Sequence, residues 1–126
     1  MSKLIYLASP YSHSDPAIQV ERFEAVCRHA AAMFRDGVMV FSPIAHTHPI
    51  AMHGELPTSF EFYAAYDEMM ISRCDAVVIL MLDGWRESVG VTAEIEIAKR
   101  LGKPIALIEP FAVTPGKPSG VDAAKG

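Results

Sequence analysis

Two carboxylates occupy positions where acid–base or nucleophilic chemistry is expected. The run Asp83-Gly-Trp-Arg-Glu-Ser-Val-Gly-Val-Thr-Ala-Glu94 reads as the end of a strand followed by the first turns of a helix, with Glu94 in those turns. The mouth of an open α/β sheet at such a junction holds small anionic ligands. Asp67 lies upstream, on the approach to the preceding strand. If the strands are neighbours the two carboxylates converge on one crevice, and paired carboxylates suggest glycosidic-bond chemistry. Between them, Ser88 and Gly90 offer backbone N–H groups and a helix dipole that favour a phosphate. Each residue also has a plain structural reading: Glu94 as a carboxylate stabilised near a helix N-terminus, Asp67 as a solvent-facing helix residue, Ser88 as a helix cap.

The elements that must position these groups follow from hydrophobic periodicity. Leu4–Ala8 reads as a short buried strand stopped by Ser9-Pro10. From Pro16 to Asp36 the apolar residues Ile18, Val20, Phe23, Val26, Ala30, Met33 and Phe34 recur at helical spacing, opened by Asp15-Pro16 and closed by Gly37. Val38–Phe41 is a second strand, and the stretch from Ser42 to Thr58, with three His and three Pro, is read as a long loop without periodicity. A second helix spans Ser59–Arg73 with Thr58 or Ser59 as its cap. Asp75–Leu82 is the strongest strand, Val91–Leu101 a third helix, and Pro104–Ile108 a fourth strand. The order βαβαβαβ predicts a doubly wound, Rossmann-like parallel sheet of four to five strands in three α/β/α layers. The ligand crevice then lies at Ser9–Ser14, Ser42–His53 and Asp83–Glu94, with Ser9, Ser12, Ser88 and Gly90 as substrate or phosphate contacts and His46, Asp83 and Trp85 as further pocket candidates.

The 126 residues suit one domain, read as residues 1–110, followed by a Pro/Gly-rich tail, 111–126, that carries Pro115, Gly116, Pro118 and Gly120. A hydrophobic content of 51% fits a sheet buried on both faces or an oligomer interface. Phe60, Phe62, Tyr63, Met69 and Met70 on the second helix give more apolar surface than a small domain hides, so a homo-dimer or higher homo-oligomer is expected. A net charge of −4 gives no basic field for a nucleic-acid polymer. No G-x-G-x-x-G or P-loop pattern occurs. Cys27 and Cys74 lack the spacing of a metal knuckle or redox pair, and the N-terminus lacks a signal-peptide core, so a cytoplasmic protein with buried thiols is expected. No apolar run reaches membrane-spanning length.

Tyr6 in an early strand, Asp67-Glu-Met-Met-Ile-Ser-Arg-Cys-Asp75-Ala-Val-Val and Ser88-Val-Gly-Val-Thr-Ala-Glu94 together resemble the nucleoside 2-deoxyribosyltransferase superfamily over about residues 4 to 108. That superfamily includes base-exchanging transferases and N-glycosidases of nucleoside 5′-monophosphates. The resemblance implies Glu94 as the nucleophile at the anomeric carbon, Asp67 as a substrate contact that assists proton transfer, and Tyr6 as the residue orienting Glu94. It implies a small-molecule nucleoside or nucleotide substrate, no cofactor, and subunits that complete each other's sites. Ser88, six residues before Glu94, matches the serine of the monophosphate N-glycosidases rather than the aspartate of the transferases, and a hydroxyl tolerates a dianionic phosphate that a carboxylate repels. Thr92, where the family often has glycine, and the Ser9-Pro10-Tyr11-Ser12 loop depart from its pattern. Tyr6 also reads as a core aromatic with a satisfied hydroxyl.

Two other classes compete. His46, His48 and His53, with His13 in another crevice loop, suggest a metal-dependent hydrolase: in extended backbone the H-x-H pair puts both rings on one side, although the spacing matches no strong zinc motif. A nucleotide-binding regulator without catalysis would keep the phosphate cradle and dispense with Glu94.

Overall fold

The computed structural model describes residues 3–111. Four strands, β1 (Leu4–Ala8), β2 (Met39–Phe41), β3 (Ala76–Leu80) and β4 (Ile105–Ile108), form one sheet in the order β2-β1-β3-β4, and every pair is parallel. The helices are α1 (Pro16–Arg35), α2 (Pro43–Gly54), α3 (Phe60–Arg73) and α4 (Val89–Arg100). They flank the sheet on both sides, giving the three-layer, Rossmann-like α/β/α fold read from the alternation of strand and helix patterns. The strand order reverses direction between β1 and β3, so the crevice of such a fold opens beyond the carboxyl ends of these two strands.

The period-two alternation of β1 divides the core. Tyr6 and Ala8 pack with Ile71, Val77, Ile79, Val91 and Ala98 under α3 and α4, and Leu7 packs with Val26, Ala30 and Val40 under α1. Tyr6 pairs with Phe41 on one side and Val77 on the other. Asp75 fixes the register at the strand start: Leu4 N–H donates to its carboxylate at 2.7 Å, and Asp75 N–H donates to the Leu4 carbonyl at 2.8 Å.

Local sequence accounts for the helix ends. Asp15 caps α1 by accepting from Ala17 N–H, with Pro16 in the first turn and Arg35 in the last. Ser88 caps α4 by accepting from Val91 N–H at 3.1 Å. Ser59 precedes α3 but makes no side-chain cap bond.

The stretch read as a long loop is a correction: it contains α2. Ser42 accepts from Ala45 N–H as N-cap, Pro43 fills the first position, and the chain leaves through Glu55 in a left-handed conformation while Leu56 N–H returns to the Ala51 carbonyl. Pro49 sits inside this helix, where its missing N–H and ring cost about 3 kcal/mol against alanine. The proline and the histidines obscured a helix whose start signal, Ser42-Pro43, was present.

Phe62 and Met69 are exposed on α3, whereas Phe60 and Met70 pack against the core. Among the described residues no helix is long and apolar enough to cross a membrane. Phe111 N–H donates to His29 Nε2 at 3.1 Å and its ring stacks on the imidazole, tying the chain after β4 to α1. The rest of the Pro/Gly-rich tail lies outside the described residues.

Candidate functional site

A cavity of about 410 Å³ opens where the crevice is expected. Its wall draws on all three expected segments, through Ser9 and Ser12 after β1, His48 on α2, and Ser88, Gly90 and Glu94 at the start of α4. Thr58, Ser59, Phe60, Glu61 and Tyr63 at the head of α3, outside those three segments, add a fourth side together with Asp67, the second carboxylate expected at the crevice.

At its centre the Tyr6 hydroxyl, on β1, donates to Glu94 Oε2, on α4, at 2.6 Å in the interior. Glu94 is 4% exposed and Asp67 5%. Burial raises the Glu94 carboxyl to about 8; the Tyr6 hydrogen bond pulls it down and the neighbouring Asp67 charge pushes it up. Burial likewise raises Asp67 to about 7. Burial, reinforced by the charges of Glu94 and Asp67, raises the Tyr6 phenol, so it remains a donor across the neutral range. Near neutrality both carboxyls are therefore at least partly protonated. The reading of Asp67 as a solvent-facing helix residue is overturned, and Tyr6 is a core aromatic whose satisfied hydroxyl bonds Glu94.

Asp67 Oδ1 and Ser9 Oγ are buried and find no partner among the described residues. Unpaired buried polar atoms in a cavity wall are the groups a ligand would satisfy. Ser12 Oγ donates to the Thr58 carbonyl at 2.8 Å, joining two walls. Ser88 lines the cavity while its side chain caps α4, so the capping and lining roles coincide.

Arg22 braces the rim. Its guanidinium donates to the Ser12 carbonyl at 3.0 Å and to the Asp83 carbonyl at 3.1 Å, linking the loops after β1 and β3. Gly84, at φ +88°, lets it pass: a Cβ there would stand 2.6 Å from Arg22 Nη2.

Three pocket candidates are corrected. Asp83 is exposed and borders a separate groove with His13 and Glu21. Trp85 packs against the α3/α4 core, with Arg86 over its ring at 4.8 Å. His46 lies between Phe41 and Tyr66, outside the cavity wall. Their places are taken by Tyr11, Thr47, His48, Phe60 and Tyr63. Tyr11 Oη and His48 Nδ1 share a hydrogen bond of 2.6 Å, and the His48 ring stacks on Phe23 at 4.2 Å. Burial lowers the His48 pKa and raises that of Tyr11, favouring both neutral forms. The spacing Ile44, Thr47, His48, Ala51 is helical and would have found this wall had the stretch been read as a helix.

Helix α2 also removes the geometry of the metal reading, because residues two apart on a helix diverge where in a strand they align. Among the described residues no three His, Cys, Asp or Glu side chains come together as a metal-binding group.

The charge of the wall is one-sided. Glu61, Asp67, Glu87 and Glu94 line the cavity, with no lysine or arginine among its described lining residues; Arg22 at the rim directs its guanidinium to two backbone carbonyls. No curated protein matches the chain. A family match across residues 3–110, covering every described strand and helix, places the chain in the family described as Domain of unknown function (DUF1937).

Proposed function

We propose that the chain cleaves the N-glycosidic bond of a nucleoside or nucleotide through Glu94, in the manner of the nucleoside 2-deoxyribosyltransferase superfamily that its motifs resemble. The observation that carries this reading is the buried pair of carboxyls, Glu94 held by the Tyr6 hydroxyl and Asp67 with an unpartnered oxygen, on one cavity wall. An N-glycosidic bond breaks through an oxocarbenium-like state, which an ionised Glu94 stabilises before closing on the anomeric carbon as a glycosyl ester. Asp67, raised to about 7, is protonated in a share of the molecules at neutral pH and can give that proton to a neutral leaving base; as carboxylate it then takes a proton from the attacking water or acceptor base. Glu94, raised to about 8, is ionised in only a minority of molecules at neutral pH, and the positive charge that develops on the sugar favours that form over the protonated one. The cavity volume suits a ligand of nucleoside size.

The test is chromatographic. Nucleosides and their 5′-monophosphates, with and without an acceptor base, are incubated with the wild-type protein and with Glu94→Gln. Base release should fall by at least ~10³-fold in the variant. Exchange confined to samples with acceptor base identifies a transferase, and release without acceptor identifies a hydrolase. Equal turnover by Glu94→Gln removes the nucleophile.

A further inference from the structure

We infer that the cavity selects N-glycosides whose base carries a positive charge, such as N-alkylated purine or pyridinium nucleosides; this rests on the N-glycosidic reading and narrows its substrate class.

The first observation is the one-sided wall. Asp67 and Glu94 serve the chemistry, but Glu61 in the first turn of α3 and Glu87 ahead of the α4 cap add two more carboxylates that the proposed reaction does not use. Glu61 and Glu87 are exposed at the mouth, and carboxylates around a concave site whose lining holds no lysine or arginine concentrate cations and repel anions, a field that salt screens. A 5′-phosphate would meet this field. The α4 N-terminus favours an anion, but Glu87 stands directly before its cap residue.

The second observation is the unpartnered Asp67 Oδ1, in a side chain only 5% exposed that lines the same cavity. A buried carboxylate oxygen without a donor lowers its energy by meeting a cation or a proton. Phe60, Tyr11 and Tyr63 supply aromatic surface in the wall, and a flat cationic heterocycle gains both stacking and cation–π attraction there.

The chemistry is consistent with this choice. A cationic base in the cavity favours the ionised form of Glu94, which burial otherwise disfavours. Glu94 then attacks C1′; the C1′–N bond breaks and its electron pair passes to the base nitrogen, which leaves neutral without needing a proton. Water attacks C1′ of the glycosyl ester, Asp67 accepts the water proton, the C1′–O bond to Glu94 breaks, and the proton passes to solvent. The sum is cationic nucleoside plus water giving neutral base, free sugar and one proton.

Binding separates charge recognition from the innate lability of cationic nucleosides. 1-Methylnicotinamide and nicotinamide, nearly isosteric and without a sugar to lose, are titrated into the wild-type protein and into a Glu61→Gln/Glu87→Gln variant. The cation should bind at least ~10-fold more tightly, the difference should shrink in the variant and weaken with salt. In parallel, nicotinamide riboside and 7-methylguanosine are compared with guanosine and guanosine 5′-monophosphate as substrates. The cationic nucleosides should have the higher kcat/KM, and the variant should raise KM for them alone. Equal binding of the neutral amide, or preferential cleavage of guanosine or its monophosphate, overturns the charge selection and leaves the N-glycosidic reading standing. Tight binding of the cation with no cleavage of any nucleoside overturns the N-glycosidic reading and keeps the cation selectivity of the cavity.

Discussion

The Tyr6 hydroxyl reaches Glu94 from the neighbouring layer, and the bond acts on both position and charge. It fixes one carboxylate oxygen, leaving the other for a ligand, and it opposes the effect of burial on the Glu94 pKa. Tyr6→Phe should therefore push that pKa further up. The acid limb of the kcat/KM profile, which follows ionisation of the nucleophile, should move to higher pH by about one unit, with a loss of ~10-fold or more at pH 7 and a smaller loss at pH 9. A loss independent of pH would reduce Tyr6 to a packing residue. Glu94, Asp67, Ser9, Ser12, Ser88 and Gly90 were placed at the crevice from sequence because each belongs to a strand end, a helix start or a recognisable motif. Asp83, Trp85 and His46 were misplaced because side-chain direction in a loop follows no period: Trp85 buries its ring against the core beside it, and His46 leaves the wall once its segment coils.

The strands, α1, α3 and α4 were legible within a residue or two, since their apolar spacing and caps agree. Helix α2 was not, because an internal proline and three histidines hid its period while tertiary packing supplied what propensity lacks. It faces the cavity with His48 and Ala51, so missing the helix also meant missing a wall of the site. The joint between the β1 and β3 loops belongs to the same scale. Gly84→Ala places a methyl group against Arg22 at a backbone angle that L-residues rarely adopt, and should cost about 1–3 kcal/mol in urea unfolding while raising KM as the rim loosens. Unchanged stability would mean that Arg22 swings aside freely.

At the scale of the whole molecule, the two buried carboxyls link stability to pH. Their folded pKa values, about 8 for Glu94 and about 7 for Asp67, lie above the ordinary carboxylate range of the unfolded chain. The folded state therefore binds more protons between the two ranges. The contribution of these two groups to stability is full below about pH 4 and is lost as pH rises through 7 to 8. Glu94→Gln keeps an acceptor for Tyr6 and removes the cost of the buried charge, so its Tm should exceed that of the wild type at pH 9 by an amount worth a few kcal/mol, with the gap closing toward pH 4. Parallel Tm curves across this range would show that Glu94 is not titrating in the folded protein.

The sheet order has a consequence for how the chain is made. Strand β1 precedes the others in the chain, yet it is bracketed on one side by β2 and on the other by β3, and Asp75, just ahead of β3, lies 71 positions after its partner Leu4. While the ribosome is still adding α2 and α3, one edge of a largely apolar central strand stays open, which is the interval in which nascent parallel sheets are exposed to misassociation and to chaperones. The bond between Tyr6 and Glu94 spans 88 positions and can close only after β3 has docked and α4 has folded over it. Partly assembled chains consequently lack the Tyr6–Glu94 pair, and on the proposed reading specific activity in a preparation counts the molecules whose folding has run to completion.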